Sequence, residues 1–357
     1  MLLKMKMAIC FSLLFSCLFA ENTKELTLTN ETPVNGFSTK KHLFQKRQAN
    51  EVKKIAPVNM GVNNPIYGYL TIDYLCWKAQ RTNMYYAFSL PDINPDYSLG
   101  EILYGKAKWK SGFRLDLNFS NIYDWTIGTV LTYYHNNSVT HDKNLLHTWI
   151  YDSSVDNINA KVQSKITLYT LDLEFGSSFN CGKTVSIDPF ISLRTAQVKH
   201  LVNLHLTGQV YASSNQNYST AYLTKQKFLG FGPRIGAKWE YRIGRTGLDI
   251  FSLFSASLLY GKMKVDPSYE NTSYFANAHH NPYENYFQKF QDLKATIQLV
   301  LGSQWKYYWD HDMKSFILRF AWEANYWFDQ GAYFKEENND QRSLIFSGLN
   351  IGIGFEY

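Results

Sequence analysis

A two-residue alternation runs unbroken into the carboxyl terminus, and no other feature limits the fold of this chain so strongly. Leu349, Ile351, Ile353, Phe355 and Tyr357 fall on one side of an extended segment, and Gly348, Asn350, Gly352, Gly354 and Glu356 on the other. That period belongs to a strand with two different environments. An unpaired tail frays, so a terminal strand this apolar must be hydrogen-bonded to another. The closing strand of an outer-membrane barrel turns apolar side chains to lipid, small and polar ones to the lumen, and an aromatic to the interface. The last strand of a soluble sandwich would look the same locally. The rest of the chain decides.

The same pattern recurs over residues 67–78, 103–119, 125–133, 166–175, 185–198, 227–241, 248–260, 293–307 and 316–328. In residues 103–119 the apolar face holds Trp109, Phe113, Leu115, Leu117 and Phe119, opposite Lys106, Lys108, Lys110, Arg114 and Asp116. The connections between these segments alternate in length. Short ones lie near Asn121, at 178–184, 244–246 and 309–313, and long polar ones at 79–102, 136–165, 199–226, 262–291 and 330–342. A sandwich has no reason to sort its loops in this way. A transmembrane antiparallel barrel does, with short periplasmic turns and long extracellular loops. The expectation is an all-β barrel of about ten strands, up to fourteen if short hairpins exist, as near residues 85–88 and 201–206. Aromatic content of 17% fits membrane-interface girdles, although carbohydrate-binding β proteins are also aromatic-rich.

The amino terminus points to export. Lys4 and Lys6 precede an apolar run over residues 7–19 and Ala20, the form of a signal peptide over residues 1–20. Lipid attachment at Cys17 is a weaker alternative, because Phe15 is bulky for that signal. Residues 21–64 read as a polar, largely disordered periplasmic tail with a basic run and room for one short helix, and residues 65–357 as the barrel. No later run reaches the roughly 18 apolar residues of a membrane helix. The net charge of +6 is spread too thinly to imply nucleic acid.

Inward parity selects pore-lining candidates: Lys106, Lys108, Lys110, Arg114, Arg194, Arg234, Lys238, Glu240, Lys294, Arg319 and Glu323, with Lys306 among further cations. Asp116, Asp124, Asp172, Glu174, Asp188, Asp249, Asp292 and Glu356 share that parity. The signs nearly balance, so either a plugged, hydrogen-bonded interior or a charge-lined channel is compatible with them. Cys76 and Cys181 are the two cysteines of the mature chain, a candidate disulfide within or between molecules or two ordinary thiols. His135, His141, His147 and the pair His279-His280 are assigned to loops, and Asp310-His311-Asp312 to a turn. None has the spacing of a metal site. No nucleophile with an orienting histidine and no phosphate-cradling glycine loop is found, so neither an enzyme nor a cofactor is expected.

Several segments carry a family resemblance. They are the strand 69–77 with its trailing Trp77, the run 188–194 ending in Leu193-Arg194, Phe228-Leu229-Gly230-Phe231-Gly232-Pro233-Arg234-Ile235-Gly236, Ser257-Leu258-Leu259-Tyr260-Gly261, the run 322–330, and the closing strand. In this order they resemble the pore-forming major outer membrane proteins of the Legionella type, with relatives in chlamydia-like bacteria. The resemblance covers the barrel and not the tail. It implies a surface-abundant, porin-like protein passing small solutes or ions, in contact with outer-membrane lipid and with the barrel-assembly machinery. Homo-oligomers and disulfide links to neighbours are further implications, the latter weakened by the two cysteines. Ile351, Ile353, Phe355 and Tyr357 form the candidate assembly signal. Pro233, with no amide hydrogen, is expected to mark a bulge or break, and Arg234 is either the lumen-facing charge that matters most or half of a structural ion pair with Glu240 or Glu323. The alternative function is a non-conducting barrel acting as an adhesin or envelope component.

Overall fold

The computed structural model describes residues 67–81, 85–89, 102–104, 107–120, 125–147, 155–182, 184–210, 217–244, 246–271, 288–309, 314–330 and 343–357. The expected signal peptide, tail and short helix lie outside the described residues, as do Lys106, Asp124, His279, His280 and the 310–312 turn. Thirteen strands are described: β1 (Tyr67–Arg81), β2 (Tyr85–Ser89), β3 (Ile102–Tyr104), β4 (Trp109–Ser120), β5 (Trp125–His147), β6 (Val155–Ser177), β7 (Phe179–Cys181), β8 (Val185–Val210), β9 (Asn217–Ile243), β10 (Leu248–Asn271), β11 (Gln288–Trp309), β12 (Lys314–Trp327) and β13 (Leu344–Glu356).

Ten of them close an antiparallel ring in the order β1-β4-β5-β6-β8-β9-β10-β11-β12-β13, with β13 pairing back to β1. The seam runs from Tyr69↔Glu356 to Arg81↔Leu344 and is finished by two backbone bonds between Gly68 and Tyr357. Closure leaves no wall strand with an unpaired edge, the condition for crossing hydrocarbon. Following paired residues once around the ring from Tyr69 passes through Asn118, Gly128, Glu174, Ser192, Arg234, Ser257, Thr296, Trp327 and Leu344, and returns to β1 at Arg81. That stagger tilts the strands by roughly 40°.

Two sequence expectations are corrected. Residues 103–119 are not one strand: Leu103 lies in β3, which pairs with β2 outside the ring, and β4 begins at Trp109. Residues 136–165, 199–226 and 262–291 are not wholly loops, because β5, β6, β8, β9, β10 and β11 continue far into them. Segments such as Asn136-Asn137-Ser138 are polar on both faces, so they carry no apolar alternation, yet they continue the β5–β6 ladder. His135, His141 and His147 therefore belong to β5 rather than to a loop. Residues 201–206 continue β8, and the hairpin expected near residue 85 exists as β2 and β3.

The outward face is apolar as the alternation requires. Ile351, Ile353, Phe355 and Tyr357 of the closing strand are all exposed on it. Near the short-turn end Trp125 stacks on Phe175 with centroids 4.7 Å apart, and Trp239–Tyr241 and Trp305–Tyr307–Trp309 continue an aromatic girdle. A second level holds Trp109 against Trp322, and Phe113, Tyr133 and Tyr169 in sequence. Two aromatic levels bounding an apolar band are the signature of a bilayer-spanning wall. Gly182 and Gly244 turn the chain at the short end with φ of 78° and 60°, values a side chain disfavours.

Candidate functional site

Among the described residues the expected polar side chains converge in the lumen, where they are layered along the axis. At the short-turn mouth the Lys306 amine lies 3.3 Å from Glu356 and 3.8 Å from Glu240, and Gln304 donates to Asp249. Above this, Arg319 lies 3.7 Å from Asp73 and donates to the Tyr69 hydroxyl.

A charged layer follows. Arg114 from β4 donates two bonds, 2.8 and 2.9 Å, to Glu323 from β12. Three strand boundaries separate those strands, so this fork reaches across the interior rather than along the wall. Gln298 and Asn350 donate to the same carboxylate at 2.7 and 2.6 Å, and Glu323 is wholly buried. Gln298 in turn accepts from Arg234 at 3.0 Å. Arg234 pairs with Glu174 at 2.5 Å, and Lys238 reaches the other oxygen of that group at 3.1 Å. Arg194 holds Asp172 through a fork of 2.6 and 2.7 Å. The bidentate geometry strengthens the Arg114–Glu323 and Arg194–Asp172 pairs.

An apolar layer caps the charged one. Leu75, Trp77, Tyr134, Leu168, Phe228, Leu259, Trp327 and Phe346 point inward and are almost wholly buried. Trp77 packs on Tyr134 and Phe346 at 5.6 and 6.2 Å between centroids, and the Arg114 guanidinium lies 5.7 Å from its ring. Trp77 Nε1 donates to Asn350 at 2.7 Å, and the Tyr134 hydroxyl donates to the Trp77 carbonyl at 3.0 Å. Toward the long-connection end the lumen turns polar again, with Arg81 at 3.0 Å from His200 and Lys294 at 2.6 Å from Asp292.

The sequence profile of the family described as Legionella pneumophila major outer membrane protein precursor matches residues 68–357, the whole barrel. The chain belongs to this family. As a member of that family it is a bacterial outer membrane protein. Among solved structures it is similar to the outer membrane protease OmpT of Escherichia coli (10% identity, 84% of this chain and 99% of that one, TM-score 0.45). It is also similar to Ail, the attachment invasion locus protein of Yersinia pestis (11%, 82% and 98%, TM-score 0.24). A third similarity is to the toluene transporter TodX of P. putida (10%, 83% and 90%, TM-score 0.30). No curated protein matches the chain.

In this family member, Arg114, Arg194, Arg234, Lys238, Glu240, Lys294, Arg319 and Glu323 make the lumenal contacts described above. Lys110 is half-buried and Lys108 lies exposed before β4 begins. Arg234 pairs with Glu174 and Asp172, not with Glu240 or Glu323, because β9 faces β6 across β8 while Arg114 occupies Glu323. Pro233 leaves the register unchanged, with no bulge. The β9–β10 ladder lacks partners at Gly232 and Pro233 and resumes at Phe231.

Cys76 and Cys181 are free. Cys76 sits in the β1 wall opposite Leu349, and Cys181 is exposed in β7 at the short-turn end, so a bond within one chain is excluded by position. Among the described residues no group of histidine, cysteine and carboxylates could hold a metal.

The apolar layer was missed by a reading that followed charges. Its signal is present in β1, where Ile72 and Tyr74 face outward while Leu75 and Trp77 face inward. A barrel strand apolar on both faces meets lipid on one side and other apolar side chains on the other.

Proposed function

We propose that the barrel is a gated pore for small solutes or ions, closed at rest by its apolar layer. The observation that carries this reading is the axial sequence of the lumen: polar mouth, charged layer, then the apolar layer around Trp77, with Arg81, His200 and Lys294 beyond it. Replacing buried ion pairs by packed apolar side chains is often neutral or stabilising. A wall with only structural duties therefore has no need of Arg114–Glu323, Arg194–Asp172 and Arg234–Glu174. A short apolar constriction between wetted segments gates by dewetting, and Trp77 is its central group. The function includes no catalytic step. Outer-membrane lipid, and the assembly machinery that takes up the closing strand, are the partners this reading assigns.

One observation favours a second reading, a non-conducting barrel that acts through its long connections: the inward apolar side chains are packed and buried, and beneath them Arg114 reaches across the lumen to Glu323. Single-channel recording in planar bilayers separates the two. Trp77→Ala and Phe346→Ala should raise open probability or unit conductance severalfold, with ion preference shifting on Lys238→Glu. Sealed bilayers for the folded parent and for both alanine variants would overturn the pore.

A further inference from the structure

The lysines on the outer wall lie where lipid meets water. On four consecutive strands the outward face passes from apolar side chains to lysine within a few residues. β6 goes from Tyr169 to Lys165, β8 from Leu193 to Lys199, β9 from Leu229 to Lys227, and β10 from Tyr260 to Lys262 and Lys264.

The register brings several of these into line. Lys199 faces Lys227, Lys227 faces Lys264, and Lys264 faces Lys289. Like charges directly opposite on neighbouring strands destabilise a sheet. No carboxylate among the described residues forms an ion pair with Lys199, Lys227 or Lys264. Lys199 leans over the Tyr169 ring at 5.9 Å, toward the apolar band. A wall that lines up cations next to hydrocarbon calls for an anion anchored in that hydrocarbon.

We propose that the row Lys199, Lys227, Lys264 and Lys289 docks the phosphate groups of a phosphorylated lipid headgroup in the outer leaflet. Three strand intervals of about 4.8 Å make the row about 14 Å long, enough for a headgroup bearing two phosphates. Its acyl chains would lie along Leu229, Phe231 and Tyr260, which are exposed directly below. Each lysine near an anionic lipid surface contributes roughly a fivefold gain in binding, and bound phosphate removes the repulsion within the row.

The test uses the folded full chain in zwitterionic micelles, titrated with a diphosphorylated glucosamine-based lipid and with its dephosphorylated form. Bound lipid is counted by native mass spectrometry. Retention of the phosphorylated form only, weakened roughly fivefold by Lys227→Gln and on the order of several hundredfold by the quadruple K199Q/K227Q/K264Q/K289Q, is the expected result. The pair K108Q/K314Q, distant from the row, should bind as the parent does. Undiminished binding by the quadruple variant, its folding verified by heat-modifiable mobility, would overturn the proposal. So would displacement of the lipid by inorganic phosphate at matching concentration, which would make the row a simple anion site. Should the quadruple variant not fold, K227Q alone decides.

Discussion

Glu323 concentrates the chemistry of the interior in one side chain. It accepts from Arg114, Gln298 and Asn350 while wholly buried, and Asn350 in turn accepts from Trp77. Glu323→Ala leaves the Arg114 guanidinium without its carboxylate, holding only the bond to Thr132, and losing one member of a buried pair costs about 3–5 kcal/mol. Chemical unfolding of the refolded barrel should show that loss. Glu323→Gln, which keeps the acceptor oxygen and drops the charge, should lose less. Removing both charges with E323L/R114M should recover part of the difference, because no buried charge is then left without its counter-charge, while the Gln298 and Asn350 amides still lose their acceptor. The parity of Arg114 and Glu323 was readable in the sequence, but their pairing was not. Partners across a lumen are set by ring closure and stagger, which no local window contains. For the same reason Arg234 was assigned the wrong carboxylate.

Among the elements, β13 was the most legible and the upper halves of β5, β6, β8, β9 and β10 the least. The alternation in β13 survives because its two faces differ strongly: Ile351 and Ile353 meet lipid, while Gly352 and Gly354 lie against β1. A Cβ on Gly352 would sit 1.9 Å from the Asp73 carboxylate, and one on Gly232 would sit 2.0 Å from the Leu258 carbonyl. The second clash is with backbone and cannot be relieved by a rotamer change. Gly232→Ala should therefore reduce the yield of heat-modifiable, folded barrel more than Gly352→Ala, as read by gel mobility after refolding. Deleting residues 355–357 removes the last apolar positions of the seam and the Gly68–Tyr357 backbone pair. Refolding into lipid should slow severalfold. Beyond the apolar band both faces of a strand meet polar surroundings, so residues such as Asn136, Ser138 and Thr140 read as loop although they are buried inward on β5.

At the scale of the molecule, the ten-strand ring followed from counting alternations and connection lengths, while the state of the lumen did not. Charge balance left an open and a filled interior equally compatible, and it took no account of inward apolar residues such as Tyr134 and Phe346, which pack together inside the ring. Their layer also predicts a dynamic property. Amide exchange in the β1, β12 and β13 segments around Trp77, Trp327 and Phe346 should be among the slowest in the protein, and Trp77→Ala should accelerate it locally without loosening the seam. Uniform acceleration throughout the ring would instead show that Trp77 supports the whole fold.

The wall is not level. β9 and β8 run 27 and 26 residues, while β4, β12, β13 and β1 run 12, 14, 13 and 15. With a rise of about 3.3 Å per residue and a tilt of roughly 40°, the part of β9 above Leu229 stands about 30 Å clear of the lipid. The short strands end close to the bilayer surface. Antibodies and phage tail fibres approaching from outside would meet the β5–β10 side of the described wall as an upright, hydrogen-bonded screen. Recognition from outside should therefore be lopsided, concentrated on the β5–β10 side.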